Sequence, residues 1–289
     1  VWQSAVAEQA LADLGAQQGA AVRRTRLGVL GWPVAHSRSP AMHNAALRAA
    51  GLRDWRYQLL PVPAELFAET VQALPAAGFR AVNVTIPHKH SALALSQRPT
   101  ARARAIGAAN TLVFGDDGAI AADNTDAPAL IGALPFDMHG RTALVLGAGG
   151  SARAAVWALL DAGAAEVRVH NRTAQRARVL CEQLGGTPVD GVDGADLLVH
   201  CTPIGLHGAA AQAPQLPLDG TLLEHFDFVA DFVYRQGGTE LVSAARARGI
   251  GAIDGLELLV GQGALSFEQF TGRRAPVAVM RAAVGLPSL

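Results

Sequence analysis

The chain has 289 residues, half of them apolar, with 24 Lys+Arg against 24 Asp+Glu. At roughly 100–200 residues per domain, that length implies two domains with ample material for a core. A net charge near zero gives no electrostatic signature of a nucleic-acid or membrane partner, and no apolar run reaches the about 18 residues of a membrane span. Two cysteines, Cys181 and Cys201, show neither CxxC nor zinc spacing and read as reduced thiols in a cytoplasmic protein.

Residues 1–25 read as an N-terminal extension, an Ala/Gln-rich helix and a linker. From there the elements alternate. "RLGVLGW" is a buried strand ending at Gly31. "SPAMHNAALRAAG" is a helix that Ser39 can N-cap, with Pro40 in its first turn and Gly51 closing it. "WRYQLLPV" is a strand, "AELFAETVQALPAAG" a helix and "FRAVNVTIP" a strand, followed by a helix in "HSALALS". "AANTLVF" and "GAIAADN" form a hairpin around "GDDG". This alternation specifies a mostly parallel α/β sheet with crossover helices.

A second unit follows "DNTD". "RTALVLGAGGSARAAVWALLDAG" reads strand, glycine turn, helix; "AEVRVHNRT", "ADLLVHCTPIG", "HFDFVADFVY" and "GAIDG" supply further strands with helices between them. "LELLVGQGALSFEQFTG" is a long amphipathic helix. The fold class is therefore α/β, in two units of mostly parallel strands and crossover helices.

The chemistry concentrates in two places. Gly147, Gly149 and Ala152 give G-x-G-x-x-A after an apolar strand and at the start of a helix, the context that a dinucleotide turn requires. Gly147, Ala148, Gly149, Gly150, Ser151 and Ala152 are the expected cofactor contacts there. The next strand ends in Asn171, Arg172 and Thr173, with Arg176 one turn on. An acidic residue at that place would favour NAD, whereas two guanidiniums suit the 2′-phosphate of NADP. The first unit brings Ser37, Ser39, Thr85, Lys89, Asn110 and Asp126 to the ends of its elements. That set can hydrogen-bond ring hydroxyls and leave a Lys–carboxylate pair for proton transfer. His36, His43, His88 and His90 match no metal-binding spacing, so no metal is expected.

Seven segments in order, "GVLGWPVAHSRSPAMHN", "NVTIPHK", "GAANT", "DNTD", "GAGGSARAA", "NRT" and "DGLELLVGQGALSF", give the chain a specific resemblance to the shikimate dehydrogenase family. The resemblance runs from about Leu27 to the C-terminus and implies two domains with a cleft between them: a substrate-binding domain of residues 26–125 completed by the helices of 255–289, and a Rossmann-type NADP-binding domain of residues 126–254. It implies NADPH-dependent reduction of 3-dehydroshikimate to shikimate, in aromatic amino acid biosynthesis. It implies Lys89 and Asp126 as the catalytic pair and Ser37 and Ser39 as the grip on the substrate carboxylate. Thr85, Asn110, Gln262 and Tyr234 match substrate-side residues. A quinate/shikimate or aminoshikimate dehydrogenase and a non-catalytic NADP-binding sensor are the alternatives. The partner is a small molecule rather than nucleic acid or membrane, and monomer and homodimer are both open. The chain departs from the family at two places, Ala127-Pro128 and His200-Cys201. Ala127-Pro128 stands where many relatives carry a glycine-rich turn and implies a stiffer hinge. His200 reads as a packed strand-end histidine, with an effect on cofactor affinity as the alternative. Trp32 reads as a core residue.

Overall fold

The structure, a computed structural model, describes residues 24–206, 216–218, 221–235 and 237–287. The extension expected over residues 1–25 lies almost wholly outside them. The described strands form two six-stranded sheets.

The first sheet is built on β1 (Thr25–Gly31), whose Leu27, Val29 and Leu30 are all buried because helices cover both faces. It pairs in parallel with β2 (Trp55–Pro61) and β3 (Phe79–Val84). The expected hairpin, β5 (Thr111–Phe114) and β6 (Ile120–Asp123), adds antiparallel to β3. A two-residue strand, β4 (Arg98–Pro99), closes the order β2-β1-β3-β5-β6-β4.

The second sheet is wholly parallel: β7 (Thr142–Leu146), β8 (Glu166–His170), β9 (Thr187–Val189), β10 (Ala195–His200), β11 (Phe226–Asp231) and β12 (Gly251–Ile253). Its order, β12-β11-β10-β7-β8-β9, is the doubly wound dinucleotide arrangement. The crevice of such a sheet lies where the order reverses, between β7 and β10.

Several helices place the site. α1 (Ser39–Ala49), α3 (Lys89–Ala94) and α4 (Ala101–Ile106) belong to the first unit. α2 (Phe67–Ala73) packs on its far side. α5 (Asp126–Ala133) leads into the second unit, where α6 (Gly150–Asp161), α7 (Ala174–Leu184) and α8 (Glu240–Ala247) connect strands. α9 (Gly255–Thr271) and α10 (Val277–Val284) return to the first unit: Phe267, Phe270 and Met280 share a core with Leu27, Met42 and Tyr57. Between the units, Ile106, Ala108, Ala127, Ala154 and Ala158 form an alanine-rich seam that lets α5 and α6 approach closely.

The structure corrects two local expectations. Ser39 does not cap α1; it is the first helical residue, and Arg38 stands at the cap position with no side-chain hydrogen bond. Trp32 is not a core residue. It is 52% exposed, because the chain leaves β1 there and its backbone turns to donate to Ile86 O at 3.0 Å. Ala127 and Pro128 lie in the first turn of α5, where a proline's missing N–H would have had no helical acceptor.

His43 is buried with both ring nitrogens unpartnered, stacked on Tyr57 at 4.2 Å, and burial lowers its pKa to about 3. The unfolded chain takes up a proton below about pH 6.5 that the native protein refuses until far lower pH. This contribution to stability is therefore present above pH 6.5 and lost as pH falls. Acidification from pH 7 to pH 5 should cost about 2 kcal/mol through this one group. Urea titrations at the two pH values should show that loss in the wild type and a smaller one in His43→Phe; equal losses would contradict the assignment.

Candidate active site

One cavity of about 150 Å³ between the two units is lined by Ser37, Ser39, Thr85, Lys89, Asn110, Asp126, Tyr234 and Gln262. Every expected catalytic and substrate-side residue thus reaches the same space.

Lys89 opens α3 immediately after the β3 exit, and Asp126 opens α5. Their side chains meet at 2.6 Å, Nζ to Oδ2, and are 10% and 8% exposed. Lys89 Nζ also donates to Ser151 Oγ at 2.9 Å. An ammonium has three hydrogens, so one remains for a ligand in the cavity. Asn110 Nδ2 donates to Asp126 Oδ1 at 2.8 Å and sits 3.5 Å from Gln262 Oε1. Asn124 Oδ1 accepts from the Asp126 and Ala127 amides, which fixes the start of α5. Asp123 of the same "DNTD" run turns elsewhere, to Thr100, Arg102 and Gln269.

In the serine loop Ser37 Oγ accepts from Ser39 N at 3.3 Å, and the Tyr234 phenol oxygen accepts from Arg38 N at 3.4 Å. Burial raises Tyr57 and Tyr234 above their ordinary range, so both stay protonated near neutrality. Tyr57 OH donates to Asn83 Oδ1 at 2.8 Å, which ties β2 to the β3 end. Tyr57 and Thr125, which bonds Asn110 on both sides, were not singled out in the sequence. Tyr57 sits mid-strand with no motif around it. Thr125 could have been found, since four consecutive polar residues bridging two apolar segments require buried partners.

The glycine turn fits a dinucleotide. Gly147 has φ +116°, open to glycine and strained for other residues. A Cβ on Gly149 would meet nothing within 4 Å, which leaves backbone open to an approaching pyrophosphate. Ala152 is fully buried, as close helix–strand packing requires. The α6 N-terminus carries no side-chain cap, so its amides remain free for an anion. Ser151 faces Lys89 rather than the turn. Arg172, Thr173 and Arg176 are exposed after β8, and Asn171 Nδ2 shapes that turn by donating to Thr173 O at 2.9 Å. Neither arginine has an ion-pair partner among the described residues. Arg176 and Ala148 line a second cleft of about 450 Å³.

A Cβ on Gly150 would stand 2.9 Å from Lys89 Cβ and Cδ. The Gly150→Ala variant must therefore displace the lysine stem or part the two units. A shift of that kind should lower kcat by about tenfold or more. Steady-state kinetics beside a melting curve checks it; unchanged kcat would show that the close approach does not matter.

Among the described residues no group of three or more His, Cys, Asp and Glu is arranged to hold a metal, and no helix is long and apolar enough to cross a membrane. His88 bonds Val62 O and His90 bonds Gly107 O. Both cysteines are free thiols, and burial raises the pKa of each.

Family models match three stretches: the shikimate dehydrogenase substrate binding domain over 29–112, shikimate/quinate 5-dehydrogenase over 132–202, and the shikimate 5′-dehydrogenase C-terminal domain over 255–284. The chain is 44% identical over 271 residues to the shikimate dehydrogenase (NADP(+)) of Methylobacterium radiotolerans, covering 89% of this chain and 94% of that one. It superposes on the shikimate dehydrogenase of Aquifex aeolicus with a TM-score of 0.83 and 30% identity, over 92% of this chain and all of that one. A Thermus thermophilus enzyme solved with NADP(H) and shikimate gives 0.78 and 39%, over 90% and 98%. With matches of this extent at both the sequence and the structural level, the chain belongs to the shikimate dehydrogenase family.

Proposed function

We propose that this protein is an NADP-dependent shikimate dehydrogenase, interconverting 3-dehydroshikimate and shikimate. The observation that carries the reading is the buried Lys89–Asp126 pair at 2.6 Å, facing a cavity also lined by Ser37, Ser39, Thr85, Asn110, Tyr234 and Gln262. When bound, the reduced nicotinamide supplies the hydride. Gly147 to Ala152 would hold the pyrophosphate at the α6 N-terminus, and Arg172 and Arg176 would take the 2′-phosphate.

The chain's own residues do the rest. Ser37 and Ser39 offer two neutral hydroxyl donors to the substrate carboxylate, so no second buried ion is needed. Lys89 holds its third N–H toward the ring ketone and gives a proton to that oxygen as negative charge develops. Asp126 keeps the ammonium in place and, through its remaining lone pairs, accepts from the neighbouring ring hydroxyl. Asn110, Thr85 and Gln262 complete the polar wall, and Asn110 fixes Asp126 from the other side.

NADPH consumption with 3-dehydroshikimate tests this directly. Wild-type protein should turn over, and Ser39→Ala should raise the substrate KM about tenfold, as expected for loss of one hydrogen bond to a charged group. Tight NADPH binding with no turnover would instead make the protein a cofactor sensor.

A further inference from the structure

At the carboxyl end of β10, four side chains outside the proton-transfer machinery form one chain of hydrogen bonds. His200 Nδ1 lies 2.8 Å from Asp231 Oδ1, and His200 Nε2 lies 2.6 Å from Thr202 Oγ1. Thr239 donates to Asp231 Oδ2 at 2.6 Å, and Val233 N donates to Oδ1 at 2.9 Å. Thr239 in turn caps α8, so the network is anchored on a helix as well as on two strands. His200 and Asp231 are fully buried.

The Asp231 oxygens accept from Val233 N and Thr239 Oγ1, and His200 Nδ1 meets the same carboxylate. Thr202 Oγ1 stands against the other ring nitrogen, so the ring bridges the strand end to the turn. Thr202 Oγ1 also accepts from Ile204 N at 3.3 Å. The turn after β10 is thereby held in one orientation.

That turn meets the dinucleotide crevice. Cys201 N donates to Leu146 O at 2.8 Å, across the β7–β10 switch point. A Cβ on Gly147 would stand 3.1 Å from Cys201 O and 3.4 Å from Thr202 Cγ2. Thr202 also lines the central cavity. The far end of the network is thus the floor on which the glycine turn rests.

We propose that His200 is a positioning residue for the dinucleotide: by tying Thr202 to Asp231 it sets the floor beneath Gly147, and it supports cofactor affinity rather than substrate affinity. Packing alone would be met by an apolar ring of the same size, whereas both nitrogens of this ring have polar partners. The inference rests on the NADP reading above.

The test is NADPH binding followed by fluorescence titration, with KM values for shikimate and NADP beside it. The variants are His200→Phe, which keeps the ring volume, Thr202→Val, which keeps the shape at that position, and the pair combined. Each single variant should weaken NADPH binding about tenfold, because each breaks the His200–Thr202 link that holds the turn, with the KM for shikimate changed less than about twofold. The double variant should be no weaker than the worse single, because both break the same link. Unchanged NADPH affinity in Thr202→Val overturns the proposal. So do losses that multiply in the double variant, or a KM for shikimate that rises in parallel. Should His200→Phe fail to fold, Thr202→Val alone decides. Wild-type protein that does not bind NADPH would overturn the NADP reading itself, a different result from a wild type that binds and variants that match it.

Discussion

Replacing Lys89 with alanine should lower kcat by about 10²–10⁴-fold, the range for a positioned general acid, while NADPH still binds. The residue's three hydrogens are divided between Asp126, Ser151 and the cavity, so no neighbour can take over the proton. The substitution also leaves the Asp126 carboxylate without its counter-ion in a site with little solvent. Breaking a buried pair from one side typically costs about 3–5 kcal/mol, so the variant's melting temperature should fall too. The two effects separate experimentally. A folded variant that binds NADPH and lacks turnover assigns the chemistry to Lys89. Turnover within about tenfold of wild type would remove the lysine from the proton-transfer step. Asp126→Asn provides the control, because it keeps the shape and the Asn110 contact region while removing the charge that orients the ammonium.

The second large effect concerns cofactor choice. Arg172→Ala combined with Arg176→Ala should raise the KM for NADP about 10–100-fold, since each guanidinium can make charge-assisted hydrogen bonds to a 2′-phosphate. NAD lacks that phosphate, and its KM should barely move. The arginines are exposed and have no ion-pair partner among the described residues, so no internal salt bridge is lost and stability should stay within the small range of surface changes. The KM for NADP should also rise with salt in the wild type and less so in the variant. Equal losses for NAD and NADP would mean that these side chains shape the turn rather than read the phosphate.

Legibility in the sequence followed locality. The β7–turn–α6 unit was readable because its signals lie within a dozen residues: an apolar strand, a glycine where φ is +116°, and a fully buried Ala152. The β5–β6 hairpin was readable from its turn residues. β4, α4 and β9 were not singled out. Two strands are only two and three residues long, and "ARARAI" folds as a helix on its Thr100 cap and the Gly107 end rather than on an apolar stripe. Trp32 misled because an indole before a proline at a strand end is equally compatible with a core and with an exposed position; only the path of the chain beyond β1 decides. For the site, each residue could be proposed from its segment, but convergence depended on packing. Asn110 and Gln262 are 152 residues apart and 3.5 Å from each other. The His200–Asp231 link joins neighbouring strands whose adjacency in the sheet no local pattern encodes.

The most direct measurement of the central claim is the absorbance of the reduced nicotinamide with purified protein, crossing shikimate and quinate with NADP and NAD. The account predicts reduction with shikimate and NADP far exceeding the other three pairs. Quinate with NAD as the best pair would contradict it, by showing that the Ser37–Ser39 pocket and the Arg172–Arg176 turn read different molecules.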